Sequence, residues 1–549
     1  MPSTSVPPPA IEALPRQAVR DPDHWLLIVA FLLLFLCGIQ LLIFPFGRSQ
    51  AAYAVLGRAI VGGAMPVRDL WTVDSPGIGL LHAAIQLTLG KSMMAFRAIE
   101  LIAVVGVVLA ATRITKRWVG LERAGLVGGA IFALTYVQLE IDQTGQPEFL
   151  AGVLLLHAVA LVSREPSPKT AKITAILVGL MLGLVLLLVP TLVVAVVPFS
   201  LLLFQRDNAQ APQYKSPWRI GAGLAFGILA PVTCLALWFV MRGAGRALLA
   251  DWLAPTARVW LSQSFVDCAW QYCELVYGIT LQQSALISAG LLAAFTLGTI
   301  HEHETAGRRF LLNVALLALL GLVAQHKTNP GALTAVLPFA STLAGIGIYK
   351  AWRRMLTQGV VGSATFAAIS ILLFQMCSPL SYPPGSFLKR SKSRLLYLTG
   401  LASFRSPEML ESELYNSKEY SLTASRRLAA SLRERSLSNR DVWILSDDPQ
   451  LAFLLDGIPT WRFIRPVPSE YSSVAPQLDR TRSLVEFVQR SPNIAVADAN
   501  TEAPSPNDVV TRLAGEYTPL ETHDAWTILQ RNPKPLPPRD TEFCDPNGN

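Results

Sequence analysis

FGRSQAAYAVLGRAIVGGAMPVRDLWTVDSPGIGLLHAAIQLTLGKSMMAFRAIELIAVV, residues 46–105, decides how the chain is arranged. Two apolar stretches inside it, 51–63 and 76–90, are short. A helix that crosses a bilayer needs about 20 apolar residues. Counting 76–90 as a span would also invert every later loop and move the basic clusters to the wrong side. Both stretches therefore read as helices lying in the membrane interface, apolar side toward lipid. Residues 48–96 become one long external loop between two true spans.

Working outward, the whole composition agrees. Of 549 residues, 52% are hydrophobic and only 15% charged, and the mean hydropathy is +0.40. Soluble domains carry about 25% charged residues, so a single soluble globule and a disordered chain are both excluded. The net charge of +8 comes without a basic stripe interleaved with aromatics, which excludes nucleic acid as a partner. Six cysteines show no metal-binding spacing. Cys268 and Cys273 share one external loop, where a disulfide and two thiols are both open. HEHE at 301–304 reads as a charged loop and not as a metal cluster.

Eleven apolar runs read as spans: 25–46, 97–113, 123–138, 148–163, 173–188, 191–205, 219–241, 280–299, 310–325, 332–349 and 359–377. Pro190 splits a run too long for one span, because proline removes a donor and clashes with the preceding turn. A tight reversal is expected there. With the N-terminus inside, the inner segments hold seventeen Lys and Arg against nine in the outer loops, the sign expected of cytoplasmic loops. The chain thus reads as an α-helical polytopic membrane protein with about 11 transmembrane helices and a C-terminal extracytoplasmic α/β domain. Residues 1–24 form a cytoplasmic tail, 25–377 the membrane domain, 378–530 the α/β domain and 531–549 a disordered tail. In a Gram-negative cell this is a multi-pass inner-membrane protein with its C-terminal domain in the periplasm.

After 378, SYPPGSFLKRSKSR reads as a Pro-rich basic linker. Strands DVWILS, NIAVAD and AWTILQ then alternate with helices in SLTASRRLAASLRERS, DPQLAFLL, RTRSLVEFVQR and NDVVTRLAGEY, the pattern of an α/β layer. No Gly-rich phosphate cradle follows any strand.

The first external loop resembles that of type C (GT-C) membrane glycosyltransferases, in particular protein O-mannosyltransferases and lipid A aminoarabinose transferases. Arg48, Gln50, Tyr53, Ala54, Gly62, Gly63, Pro66, Arg68, Asp69, Trp71, Pro76, Gly90 and Arg97 fit the family frame. TYVQLEIDQTGQPEFLAGVLLL resembles the family's second, acidic external loop. QHKTNPGALTAVLPFASTLAG is similar to its late helix pair, and SNRDVWILSDDPQLAFLLDGIPTWRFI to the start of its external domain. The family's first-loop Asp, its general base, reads Ser49 here. Its Lys-Pro reads Val189-Pro190, its Lys-Pro-Pro reads Asp74-Ser75-Pro76, and its aromatic-His pair reads Pro330-Gly331.

The resemblance implies transfer of a sugar from a polyprenyl-phosphate donor to an extracytoplasmic acceptor. Such chemistry needs a carboxylate to take the acceptor's proton and cations to offset the phosphate leaving group. Outer carboxylates are Asp69, Asp74, Glu140, Asp142 and Glu148. Asp142, Asp69 and Glu148 are the catalytic candidates. Arg48, Arg68, Arg97, Lys327 and Tyr53 are the substrate-binding candidates. Each has a plainer alternative: Asp69 pairing with Arg68, Glu148 favouring a helix dipole, Asp142 sitting in a solvated loop, Arg97 snorkelling. A divalent metal ion near the acidic loops is left open. Two other readings stand beside the enzyme. One is a catalytically degenerate GT-C-like protein that binds lipid or serves as a subunit of a membrane complex, which the four departures motivate. The other is a transporter, which would line a path with charges inside the spans.

Overall fold

The computed structural model describes residues 23–532 apart from short internal stretches and the longer ones at 376–385, 456–493 and 499–516. The two chain ends and the expected helices at 480–490 and 507–516 lie outside the described residues.

The chain runs through α1 (His24–Leu41), α2 (Arg48–Val61), α3 (Pro76–Leu89), α4 (Met93–Ile114), α5 (Glu122–Gln138), α6 (Pro147–Val162) and α7 (Ala171–Leu188). A 3-10 turn, Pro190–Ala195, leads into α8 (Val196–Ala209), followed by α9 (Pro217–Met241), α10 (Phe265–Tyr277), α11 (Ala285–Thr296) and α12 (Glu302–Gln325). A second 3-10 turn, Ala332–Ala335, precedes α13 (Leu337–Leu356) and α14 (Gly359–Gln375). Each run read as a span holds a helix, though not over its full bounds: the first ends at Leu41, and Ala332–Ala335 is a 3-10 turn. Among the described residues, five stretches are long and apolar enough to cross a membrane by length and composition: His24–Leu41, Met93–Val119, Ala171–Leu188, Trp218–Met241 and Glu304–Gln325. The two stretches read as interfacial are the helices α2 and α3; α2 does not turn an apolar side to lipid but is buried from Gln50 to Ala59 against protein.

The reversal at Pro190 follows from how α7 meets α9. Backbone of Leu224 closes on Gly179, and a Cβ at Gly183 would lie 2.6 Å from Ile228 O, so the two helices run parallel. Only the segment with α8 lies between them, so the chain must turn back on leaving α7, at Pro190. Elsewhere α5 and α13 run antiparallel at glycine-to-backbone distance: Gly345 packs on Gly128 and Ala124. Small residues allow this approach, which replaces the hydrophobic drive that lipid does not supply.

Charged groups gather at the two ends of the bundle. At the end where α1 starts, Asp23 accepts hydrogen bonds from Tyr349 (2.5 Å), Arg123 (2.7 Å), Arg353 (3.1 Å) and Trp352 (3.2 Å). Glu304 pairs there with Lys350 and with Arg308 at 3.6 Å. The opposite end carries α2, α3 and the candidate site.

The expected linker is in part a helix, α15 (Ser386–Leu398), which is followed by α16 (Pro407–Tyr415) and α17 (Leu422–Glu434). Beyond them are β1 (Val442–Leu445), α18 (Pro449–Leu454), β2 (Ile494–Asp498), β3 (Tyr517–His523) and β4 (Trp526–Arg531). The sheet order is β1-β2-β4-β3, with β1 parallel to β2 and the other pairs antiparallel. The three expected strands are present, and β3 is a fourth. Pro519 cannot donate to a ladder, and β3 accordingly lies at the sheet edge with a register shift between Pro519 and Glu521. One apolar cluster joins this domain to the first loop: Phe46, Ala54, Val55 and Phe96 pack with Leu428, Leu451, Phe453 and Ile528.

Candidate functional site

Arg97, in the first turns of α4, is fully buried. Its Nε donates to Phe44 O (3.1 Å). Nη1 donates to Glu100 Oε2 (2.6 Å) and Thr144 Oγ1 (3.2 Å). Nη2 donates to Pro45 O (2.6 Å) and Gln50 Oε1 (2.6 Å). A guanidinium has five N–H donors, and all five are engaged. Gln50 extends the clamp, accepting from Gly47 N at 3.1 Å and donating to Thr144 O. Tyr136 donates to Glu100 and accepts from Gly145 N at 2.7 Å. Arg97 therefore ties the end of α1, the first turn of α2 and the second loop together, and it has no donor left for a phosphate. The resemblance put it at the substrate; the structure makes it the keystone under the site.

On that frame three loops bring a charged cluster together. Lys327 Nζ lies 3.0 Å from Asp74 Oδ1 and 2.9 Å from Glu148 Oε1. Tyr53, from α2, donates to Asp74 Oδ2 at 2.7 Å and approaches Gln146 Oε1 at 3.3 Å. Gln325 Nε2 reaches Glu148 Oε1 at 3.4 Å. Glu148 is fully buried, and its Oε2 has no hydrogen-bond partner. The Lys327 side chain keeps 20% of its surface exposed, against 8% for Asp74 and none for Glu148.

Local sequence explains the placement. Pro147 opens α6, so Glu148 sits at the helix N-terminus, where a negative charge is favoured. Asp74 precedes Ser75-Pro76 at the start of α3. Lys327 follows His326, which holds a left-handed backbone (φ +57°). Val67 and Glu140, in the first and second loops, are the other non-glycine residues with positive φ among the described residues. Such backbone is costly outside glycine and clusters where surroundings over-determine it. Burial alone would pull the Lys327 ammonium down. The Asp74 and Glu148 carboxylates outweigh it and hold the group well above its ordinary value.

Of the predicted residues, Glu148, Lys327 and Tyr53 converge. Asp142 is exposed in the turn Glu140–Gln143, and its carbonyl accepts from Gln146 Nε2 at 2.9 Å. A Cβ on Gly47 would lie 2.9 Å from Asp142 Oδ1, so Asp142 flanks the entry to α2, where Arg48 is exposed. Asp69 and Arg68 pair bidentately at the surface, at 2.8 and 2.9 Å. Asp69 also accepts from Met65 N (2.7 Å), and Arg68 donates to Arg242 O (3.1 Å). That is the plainer, loop-holding arrangement. Asp74, Gln146 and Gln325 belong to the cluster and were not among the candidates. Asp74 faces Lys327 across the cluster at 3.0 Å.

A second buried ion cluster seats the C-terminal domain. Glu140 pairs with Arg394 of α15, which is fully buried, and with Arg390 at 3.5 Å. Arg394 donates to Tyr415 Oη (2.9 Å) and lies over the Phe44 ring at 4.5 Å. Among the described residues no three His, Cys, Asp or Glu side chains converge in a way that would hold a metal ion. Cys268 and Cys273 form no disulfide, and Cys268 Sγ meets His326 Nδ1.

No family model and no curated protein matches the chain. Among solved structures, the crystal structure of ArnT from Cupriavidus metallidurans bound to undecaprenyl phosphate is similar, with a TM-score of 0.58 at 13% identity. The match covers 92% of this chain and 98% of that one. The likeness shows that the chain has the ArnT fold, membrane helices and C-terminal domain included. The resemblance drawn from the first loop holds at the level of fold.

Proposed function

We propose that this chain is a membrane glycosyltransferase that takes a sugar from a polyprenyl-phosphate donor and passes it to an acceptor at the rim of the bundle. One observation carries the reading. In a chain with the ArnT fold, a partly exposed lysine is pinned by two carboxylates where the first, second and late loops meet. The acceptor hydroxyl or amine loses its proton to Glu148 Oε2, whose lone pairs have no other partner. Its oxygen or nitrogen bonds to the anomeric carbon as the bond from that carbon to the phosphate oxygen breaks. Lys327 offsets the charge that develops on the departing phosphate. Asp74, steadied by Tyr53, keeps the ammonium in place.

The proposal orients the Asp23 end toward the cytoplasm and the Lys327 end outward, in the inner membrane of a Gram-negative cell. Reporter fusions after residues 120, 210 and 400 are expected to report inside, inside and outside. Residue 400 on the same side as 120 would reject this orientation.

Function is tested in a deletion strain. Loss of a surface glycan and build-up of a lipid-linked sugar are expected, restored by the wild-type gene and not by Lys327→Met. The degenerate reading draws on Ser49, which stands in place of the family's acid. It wins if deletion leaves every glycan unchanged while the purified protein still binds undecaprenyl phosphate.

A further inference from the structure

A cavity of about 550 Å³ lies where the C-terminal domain meets the ends of α1 and α4. Its polar wall carries Arg58, Lys91, Arg426 and Arg433 against a single carboxylate, Glu411. Its other wall is apolar and includes Leu42, Ile43 and Met94, just after the end of α1 and at the start of α4. Met94 is 60% exposed, and Leu87 and Leu89, just before Lys91, are exposed as well. The cavity is thus cationic toward the C-terminal domain and greasy toward the bilayer.

It is separate from the transfer site. Arg58 and Tyr53 are five residues apart on α2, about 140° around a helix of 3.6 residues per turn, so they face different sides. Inside the cavity, Glu411 is 5% exposed and takes one bond from Arg426 at 2.7 Å, while its Oε2 has no partner. Arg426 Nε is likewise buried and without a hydrogen-bond partner. An unmet acceptor beside an unmet donor suits a ligand that brings an anion and a hydrogen-bond donor together.

We propose that this cavity binds a phosphate-bearing lipid from the adjacent leaflet. The phosphate sits among Arg58, Lys91, Arg426 and Arg433, a head-group hydroxyl donates to Glu411, and an acyl chain lies along Leu42, Ile43 and Met94. The lipid then bridges the membrane domain and the C-terminal domain at a point the reaction does not use.

Charge at the site also varies with pH. Burial pushes the Glu411 carboxyl up to about 7, against the pull of Arg426 and with Glu408 of the same helix adding to the rise. The groups facing it are Arg426 and Arg433 from α17, Arg58 from α2, Lys91 before α4, and Glu408. Protonating Glu411 removes the one negative charge of the lining, so an anion binds more tightly at pH 6 than at pH 8.

The test uses the full chain, delipidated in a neutral detergent, with binding read by native mass spectrometry and thermal shift. Phosphatidylglycerol is expected to bind at least tenfold more tightly than phosphatidylcholine. Lys91→Gln, at an exposed position, and Arg433→Gln are each expected to weaken it severalfold, and Glu411→Gln to flatten the pH dependence. Equal binding of the two lipids, or unchanged binding in both cation variants, overturns the proposal. So does an equal thermal shift from inorganic phosphate alone, which would make the ligand a free anion. Glu148→Gln is expected to bind phosphatidylglycerol as the wild type does, so failure of the transfer reading leaves this result standing.

Discussion

Glu148→Gln is expected to lower sugar transfer by about 10² to 10⁴-fold, the range removed with a general base, while the protein accumulates in membranes at its normal level. The amide would keep the shape and the hydrogen bond to Lys327 but could not take a proton. Lys327 would retain Asp74 at 3.0 Å, so the cluster would not fall apart. On the proposed mechanism the loss should appear in kcat, with KM for the lipid donor changed little, because the ammonium assigned to the phosphate is still present. Steady-state transfer in vesicles checks this. Full turnover in Glu148→Gln would remove it from the reaction and shift attention to Asp74.

The largest effect on stability is expected at Arg97. Breaking a buried ion pair by removing one partner costs about 3–5 kcal/mol, and here four further hydrogen bonds go with it. Arg97→Met should leave Glu100 buried without its cation and the carbonyls of Phe44 and Pro45 unmet. Arg97→Lys is not a conservative rescue, since one ammonium cannot reach five acceptors in a planar fork. Both variants are expected to accumulate poorly, to melt several degrees lower and to expose the first loop to protease. Arg97→Lys melting with the wild type would show that the clamp is dispensable.

Much of this architecture is legible in the residues themselves. Length and charge sign kept 51–63 and 76–90 out of the count of spans, but the expected lipid-facing side of the first is lost in α2, where Gln50 through Ala59 are all buried. Pro190 in a run too long for one span placed the reversal that the parallel contact of α7 and α9 requires. Side-chain direction was a harder matter. Arg97 opens a span, and a cation there snorkels as readily as it turns inward. Its inward turn depends on Gln50, Thr144 and the carbonyls after α1, which lie 47 to 53 residues away in the chain. Lys327 and Asp74 are 253 residues apart, and no local pattern links them. The helix in the expected linker was hidden by its prolines, which stop just before Ser386. The strand β3 was hidden by Pro519, which is tolerated at the edge position that strand holds among the described strands.

The pairing of Glu140 with Arg394 also has a consequence in time. The two are 254 residues apart, and at about 5–20 residues per second the ribosome delivers the second roughly 13–50 s after the first. Throughout that interval Glu140 lacks the arginine it is paired with in the folded chain. The rim can settle only once synthesis has passed residue 394, so assembly of this protein is closed by its late-made half.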